Sequence, residues 1–295
     1  MVQSEIGINL KNQVTDESYS QGMVKNALLL MVAEKGRFFY GVIDQDRQKA
    51  VLMRDYQMVN DQDAEEDYTP GFFNRILEED EILQELNPDK IVLSVYSQQQ
   101  SLVPTPLFSK NHLKEILGLT CTIHDGQDVY DDAISSANAH SIYGVPAALL
   151  EETGNRFKNA LIFHAGSAFI ESQIRLNKLD SEATVSVLIR NQYFDVVITQ
   201  GSELKLYNSY RFHSSEDIMY YLLFTMEQLQ LNPDQVAVRC YGEIEKISSH
   251  WMLARKYIRN ISMGERPDGI IYSYGFERHS PQQYYPLFIQ TLCVS

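Results

Sequence analysis

Leu86-Asn87-Pro88-Asp89 runs into Lys90-Ile91-Val92-Leu93-Ser94-Val95-Tyr96, and Leu231-Asn232-Pro233-Asp234 runs into Gln235-Val236-Ala237-Val238-Arg239-Cys240-Tyr241. The same four residues precede a β-rich run twice, 145 positions apart. Each copy spells a helix stop followed by a strand: Asn accepts the left-handed cap conformation, Pro cannot continue a helix, and β-branched residues favour an extended chain.

The flanks repeat as well. Before the first copy, Thr69-Pro70 opens a segment in which Phe73, Ile76, Leu77 and Leu83 share one helical face. Before the second, Ser214 is placed to cap a helix, with Asp217 three residues on and Ile218, Leu222, Met226 and Leu229 forming its apolar face. Ahead of each helix lie three β-like runs divided by turn residues, 27–32, 38–43 and 50–58 in the first half and 183–189, 194–199 and 204–212 in the second. Tyr56-Gln57-Met58 answers to Tyr210-Arg211-Phe212 at an offset of 154, so the first half carries nine extra residues, expected mostly in the acidic stretch 60–67 as an exposed insertion. Each half therefore reads strand, strand, strand, helix, strand. Hairpins followed by a helical crossover predict a mixed sheet with flanking helices, and two such units in tandem are the α/β architecture of the actin-like ATPase superfold, two ribonuclease-H-like domains.

Composition agrees with a folded protein of that size. At roughly 150 residues per domain, 295 residues suggest two domains. The 25 basic residues stand against 39 acidic ones, a net charge of −14, with the basic residues scattered. Such a surface repels phosphate backbones and anionic lipids, so nucleic acid is not an expected partner. The longest apolar stretch, 27–33, falls short of the ~20 residues of a membrane-crossing helix, so no direct membrane insertion is expected. The first 21 residues are polar and lack the pattern of a secretory leader. Cys121, Cys240 and Cys293 are isolated and odd in number, which reads as reduced thiols in a cytoplasmic protein.

The segment 150–212 resembles the equivalent part of actin-like proteins of pilus assembly and of type II secretion. There a helix ending near Glu151-Glu152-Thr153-Gly154 leads to a strand (159–163), a turn near Gly166 and the opening of a second domain. Over about 22–295 the chain also resembles an uncharacterised family of Bacteroidetes assigned the same fold, notably in Ser101-Leu102-Val103-Pro104 and Leu107-Phe108. The resemblance implies a fold and brings no activity with it. The expected organisation is a polar tail over 1–21, a first actin-like domain over 22–156 and a second over 157–295. Ser280-Pro281 and the stripe Tyr284, Leu287, Phe288 and Leu292 mark a last helix, which in similar proteins packs back towards the first domain.

An actin-like ATPase cradles nucleotide phosphates on the first hairpin turn of each domain, using Asp and Gly so that amides approach the phosphates and a carboxylate positions Mg²⁺. Here the turns read Val32-Ala33-Glu34-Lys35-Gly36-Arg37 and Leu188-Ile189-Arg190-Asn191-Gln192-Tyr193. Neither has the Asp, and only the first has a glycine, so magnesium-dependent phosphoryl transfer is not expected. Lys35, Arg37, Arg190 and Asn191 remain cleft candidates, read otherwise as solvated hairpin tips. Gly242 stands where the family's adenosine-contacting glycines would follow the second-domain strand, read otherwise as an ordinary turn residue. The first and fourth strands lack acids, which argues against a two-metal nuclease. His124 to Asp132 is acidic without the spacing of a calcium loop and reads as a solvated loop and helix start; no two of the seven histidines stand three or four apart; and Tyr220-Tyr221 reads as core on the second-domain helix.

The expected function is a non-catalytic binding or scaffold protein on a degenerate actin-like fold, without cofactor or metal and with a protein partner. The alternative is a divergent ATP-binding protein or ATPase with ATP as its ligand in an atypical cleft.

Overall fold

The computed structural model describes residues 6–19, 26–59 and 68–293. The expected insertion over 60–67 lies outside them. Two compact units result, one of Met1–Ala133, His140–Ala165 and Asp268–Arg278, the other of Ile134–Ala139, Gly166–Pro267 and His279–Ser295. The chain thus passes between units more than once, unlike the single boundary expected at 156/157.

In the first unit, β1 (Ile8–Thr15), β2 (Ala27–Glu34), β3 (Arg37–Asp44), β4 (Lys49–Met58), β5 (Lys90–Val95) and β9 (Leu161–His164) lie in the order β1-β4-β3-β2-β5-β9. The first three pairings are antiparallel and the last two parallel. Every residue of β2 is buried, which fits a central strand covered on both faces. In the second unit, β10 (Ala183–Ile189), β11 (Tyr193–Gln200), β12 (Glu203–Arg211), β13 (Ala237–Gly242) and β14 (Asn260–Met263) lie in the order β12-β11-β10-β13-β14, again two antiparallel pairings and then two parallel ones. The five-strand order β4-β3-β2-β5-β9 is reproduced by the second sheet, so the duplication read from the repeated tetrapeptide is a duplication of topology.

The polar segment expected as a tail supplies β1, whose edge pairing with β4 slips at a bulge between Leu10 and Asn12. A third sheet of β6 (Gln100–Pro104), β7 (Gln127–Ile134) and β8 (Ala139–Pro146), ordered β6-β8-β7, packs with the short α3 (Leu113–Leu117) around a small core of Val103, Leu117 and Ile142. The acidic stretch read as a loop and helix start is largely β7, and Asp132 within it is buried.

The helix before the first tetrapeptide breaks into α1 (Phe72–Glu79) and α2 (Glu81–Glu85) at Asp80, whose backbone is extended. Asp80 is fully buried, and its carboxylate accepts from Leu83 N, Tyr40 Oη, Tyr56 Oη and Arg54 Nη1, partners it would lose inside a continuous helix. α1 itself starts at Phe72 with Gly71 as its N-cap, not at Pro70. Its first N–H groups are satisfied by Glu152, on α4 (Ala147–Arg156), which accepts from Gly71 N at 2.6 Å, Asn74 N at 3.1 Å and Tyr68 Oη at 2.8 Å. Between β9 and β10, the expected turn at Gly166 lies instead inside α5 (Ala165–Leu176).

The second helix is α6 (Ser215–Gln228), opened by a capping box between Ser214 and Asp217 as its sequence predicts. Neither tetrapeptide uses Asn as a left-handed cap. Gln230 takes that role after α6, with φ 56, while Leu231 N reaches Met226 O and Gln230 N reaches Glu227 O in a Schellman arrangement. Asn232 instead accepts from Asp234 N through its side chain. Gln230→Gly is therefore expected to raise stability by about 0.5–1 kcal/mol, read as a higher urea midpoint at unchanged slope.

After α7 (Ser249–Tyr257) and β14, residues 268–278 join the first unit, where β15 (Ile271–Tyr272) pairs with β4. The last helix, α8 (Tyr285–Phe288), is a short one with Pro286 in its first turn. It packs within the second unit, where Tyr285 lies 4.2 Å from the Tyr241 ring and accepts from Gln173 Nε2. The expected start at Pro281 is not used because that stretch forms turns.

Candidate functional site

β2 and β3 are joined by the two-residue turn Lys35-Gly36, with Gly36 at φ 63. Lys35 is half-buried. Period-two alternation sets Arg37 and Phe39 on one face of β3, and the guanidinium lies 4.5 Å over the Phe39 ring. Asp55 sits opposite Phe39 on β4. Arg37 Nε and Nη2 each donate to Asp55 at 2.8 Å, a two-pronged fork, and Nη1 donates to Glu34 at 3.0 Å. All three charged side chains are buried. Arg37 is therefore clamped between two carboxylates and is not the solvated tip the sequence suggested.

The hairpin of the second unit repeats the device with different residues. Arg190 Nη2 donates to Asp195 Oδ1 at 2.9 Å and to Ser209 Oγ at 3.3 Å, and Arg190 and Asp195 are both buried. Asn191, at the tip, is exposed. Gly242 pairs beside Ile189 at the end of β13, so Arg190, Asn191 and Gly242 gather at one end of this sheet, while Lys35 and Arg37 share the hairpin of the other unit.

Gly242 is fixed by the fold. Its φ is 82, its N–H donates to Gln282 O at 2.9 Å, and a Cβ there would meet Ile189 O at 2.1 Å. A bulky substitution would break the sheet before it tested any ligand.

Next to it, outside the carboxyl ends of β13 and β14, lies a cavity of about 570 Å³ lined by Glu245, Lys246, Met263, Gly264, Glu265 and Gln282 among others. Gln282 is buried with its amide committed to Ile244 O at 2.7 Å. Gly264 leaves room for the Tyr241 ring, which a Cβ would strike. Two glutamates against one lysine make this a poor receptor for a triphosphate.

Two polar clusters invite comparison with hydrolytic triads. Asp132 accepts from His164 N at 2.7 Å and Tyr143 Oη at 2.8 Å, and His164 Nε2 faces the Ser97 backbone. The carboxylate holds the histidine's main chain, and Ser97 Oγ points to Gln99, so the described bonds of this cluster clasp neighbouring strands. Burial and the Asp132 carboxylate push the Tyr143 hydroxyl well above the usual tyrosine range. In the second unit, Ser215 Oγ lies 2.8 Å from His250 Nδ1 and donates to Ser249 Oγ, tying α6 to α7; burial holds the His250 imidazole below its ordinary value. No group of three or more metal-ligating side chains occurs among the described residues. Burial pushes the Cys240 thiol up to about 12, which suits an inert packed sulfur.

Residues 16–261 match a family described as "Protein of unknown function (DUF3822)". The chain belongs to this family. A Bacteroides thetaiotaomicron protein, described as having an actin-like ATPase fold and unknown function, superposes with a TM-score of 0.74 at 15% identity, covering 83% of this chain and 93% of that one. The structure titled "PilM-PilN type IV pilus biogenesis complex" follows with a TM-score of 0.62 at 11% identity, over 90% of this chain and 96% of that one. No curated protein matches the sequence. The DUF3822 chain thus has the actin-like ATPase fold over both units. Among its described residues no helix is long and apolar enough to cross a membrane.

The ion-pair clamps of this family member were not legible from the turns alone. Glu34 is adjacent in sequence, but Asp55 and Asp195 become partners only through strand register, which in the first unit shifts at a bulge between Val42 and Ile43.

Proposed function

We propose that this DUF3822 protein is a non-hydrolysing actin-like scaffold that works by binding a protein partner. The observation that supports this most directly is the state of the two hairpin turns. Where an actin-like ATPase needs amides and a carboxylate free to receive phosphates and Mg²⁺, this chain has guanidinium groups already neutralised by carboxylates of neighbouring strands, buried with them. An incoming phosphate would have to displace Asp55, Glu34 or Asp195 from a desolvated pair, at a cost of several kcal/mol. The PilM–PilN structure, by its title a complex, illustrates that the fold can serve protein association.

The rival reading is a divergent ATP-binding protein; within the second unit the candidates it would use are Arg190, Gly242 and the 570 Å³ cavity near Gly242. Calorimetric titration of the full chain with ATP and Mg²⁺ separates the two. The expected result is no saturable heat and no rise in Tm up to millimolar nucleotide, whereas ligand at 100 times its Kd would add about 2.7 kcal/mol of stability. Saturable binding would overturn the scaffold reading.

A further inference from the structure

We propose that the outer line of α6 is a docking surface for a cationic amphipathic helix presented by a protein partner. This deepens the scaffold reading and rests on it. Tyr220 and Phe224, one helical turn apart, are 65% and 47% exposed and stack on each other with ring centroids 6.2 Å apart. Tyr220 is thus not the core residue its sequence context suggests. Both belong to a ladder of rings running inward: Tyr220 meets Tyr221 at 5.3 Å, Tyr221 stacks on Tyr210 at 4.8 Å, and Tyr210 on the buried Phe194 at 5.3 Å. Tyr210 Oη is hydrogen-bonded to Thr225 Oγ1. Exposed aromatics braced in this way have little rotamer freedom left to lose, which is the condition under which tyrosine anchors an interface.

Charge selects the occupant. Glu216 and Glu227 are exposed and bracket the two rings along the same line, about 16 Å apart at 1.5 Å per residue, and residues 215–228 contain no Lys or Arg. Asp217 is committed to the cap, accepting from His213 N and Ser214 N. A second copy of the chain pairing through this line would set glutamate against glutamate whether the helices ran parallel or antiparallel. Anionic lipid and nucleic acid meet the same acids and a chain of net charge −14. An apolar helical stripe flanked by Lys or Arg complements both features: its apolar side chains cover the rings, and its cations reach the glutamates or lie over the Tyr220 face.

The test uses the full chain and two synthetic 18-residue peptides, an amphipathic Leu/Lys helix and a Gln/Lys peptide of equal charge, titrated by calorimetry at low and high salt. The Leu/Lys helix is expected to bind and the Gln/Lys peptide to bind at least tenfold more weakly. Tyr220→Ala with Phe224→Ala should weaken the Leu/Lys helix about 30-fold. Glu216→Gln with Glu227→Gln should weaken it about fivefold and flatten its salt dependence. Because the substituted side chains are exposed, near-wild-type melting is expected for both variants, and Tyr220→Lys alone is a second probe should the double aromatic variant misfold. Absence of binding, equal binding of the two peptides, or unchanged affinity in the aromatic variants would overturn the proposal. So would self-association of the wild type that Tyr220→Lys abolishes, since the occupant would then be a second copy. The ATP titration is independent of all these outcomes, so failure here is distinguishable from failure of the scaffold reading.

Discussion

Gly242→Ala is expected to lower the stability of the second unit by about 3–5 kcal/mol, a sum of left-handed strain and steric overlap. Two observations combine at this position. The backbone stands at φ 82, where any side chain is strained, and the space a Cβ needs is occupied by Ile189 O at 2.1 Å and Leu188 Cδ1 at 2.9 Å. Moving Ile189 is costly, because its carbonyl accepts from Glu243 N and its strand is central in the sheet. Urea unfolding followed by far-ultraviolet circular dichroism checks the expectation. A loss under about 1 kcal/mol would mean that the end of β13 yields easily and that Gly242 is not held as described.

Asp55→Ala is the second substitution with a large expected effect. It leaves the buried Arg37 guanidinium without the fork that binds it, with Glu34 as its remaining described ion-pair partner. Removing one member of a buried pair costs about 3–5 kcal/mol, most of it the burden of an undercompensated charge. Asp195→Ala should cost less, because the described bond between Arg190 and Asp195 is one-pronged, at 2.9 Å, where Asp55 grips Arg37 with two, and Arg190 keeps Ser209. Urea midpoints at pH 7 give the order. Equal losses, or a smaller loss for Asp55→Ala, would contradict the clamp geometry described for β3 and β4.

The fold was largely legible because its decisive signal was repetition. Leu-Asn-Pro-Asp before a β-rich run, twice, fixed the relation between halves without help from tertiary contacts, and the strand runs agreed with the observed strands to within a residue or two at most ends. What escaped was whatever depended on partners distant in sequence. Ile8–Thr15 is mostly polar and becomes a strand because β4 offers it an edge. Asp80 breaks a helix that reads as continuous because Tyr40, Tyr56 and Arg54 converge on it. Gln230, rather than an asparagine, takes the left-handed position because helix α6 ends one turn earlier than the tetrapeptide implies. Tyr220, read as core, faces outward while its neighbour Tyr221 packs on Tyr210, a difference of one helical position that an aromatic pair cannot resolve by itself. For the candidate site, the missing phosphate-turn residues were visible at once, whereas the carboxylates that occupy their arginines were not.

The path of the chain has a practical consequence for dissecting the protein. Residues 271–272 add to the edge of β4 at Lys49 and Ala50, and a Cβ on Gly275 would touch Val14. A clone ending after residue 165 would leave that border of the first sheet bare, and one starting at 166 would carry the missing ribbon with no sheet to join. Neither half can be excised as one continuous fragment, so studies of the isolated pieces need a circularly rearranged or co-expressed design.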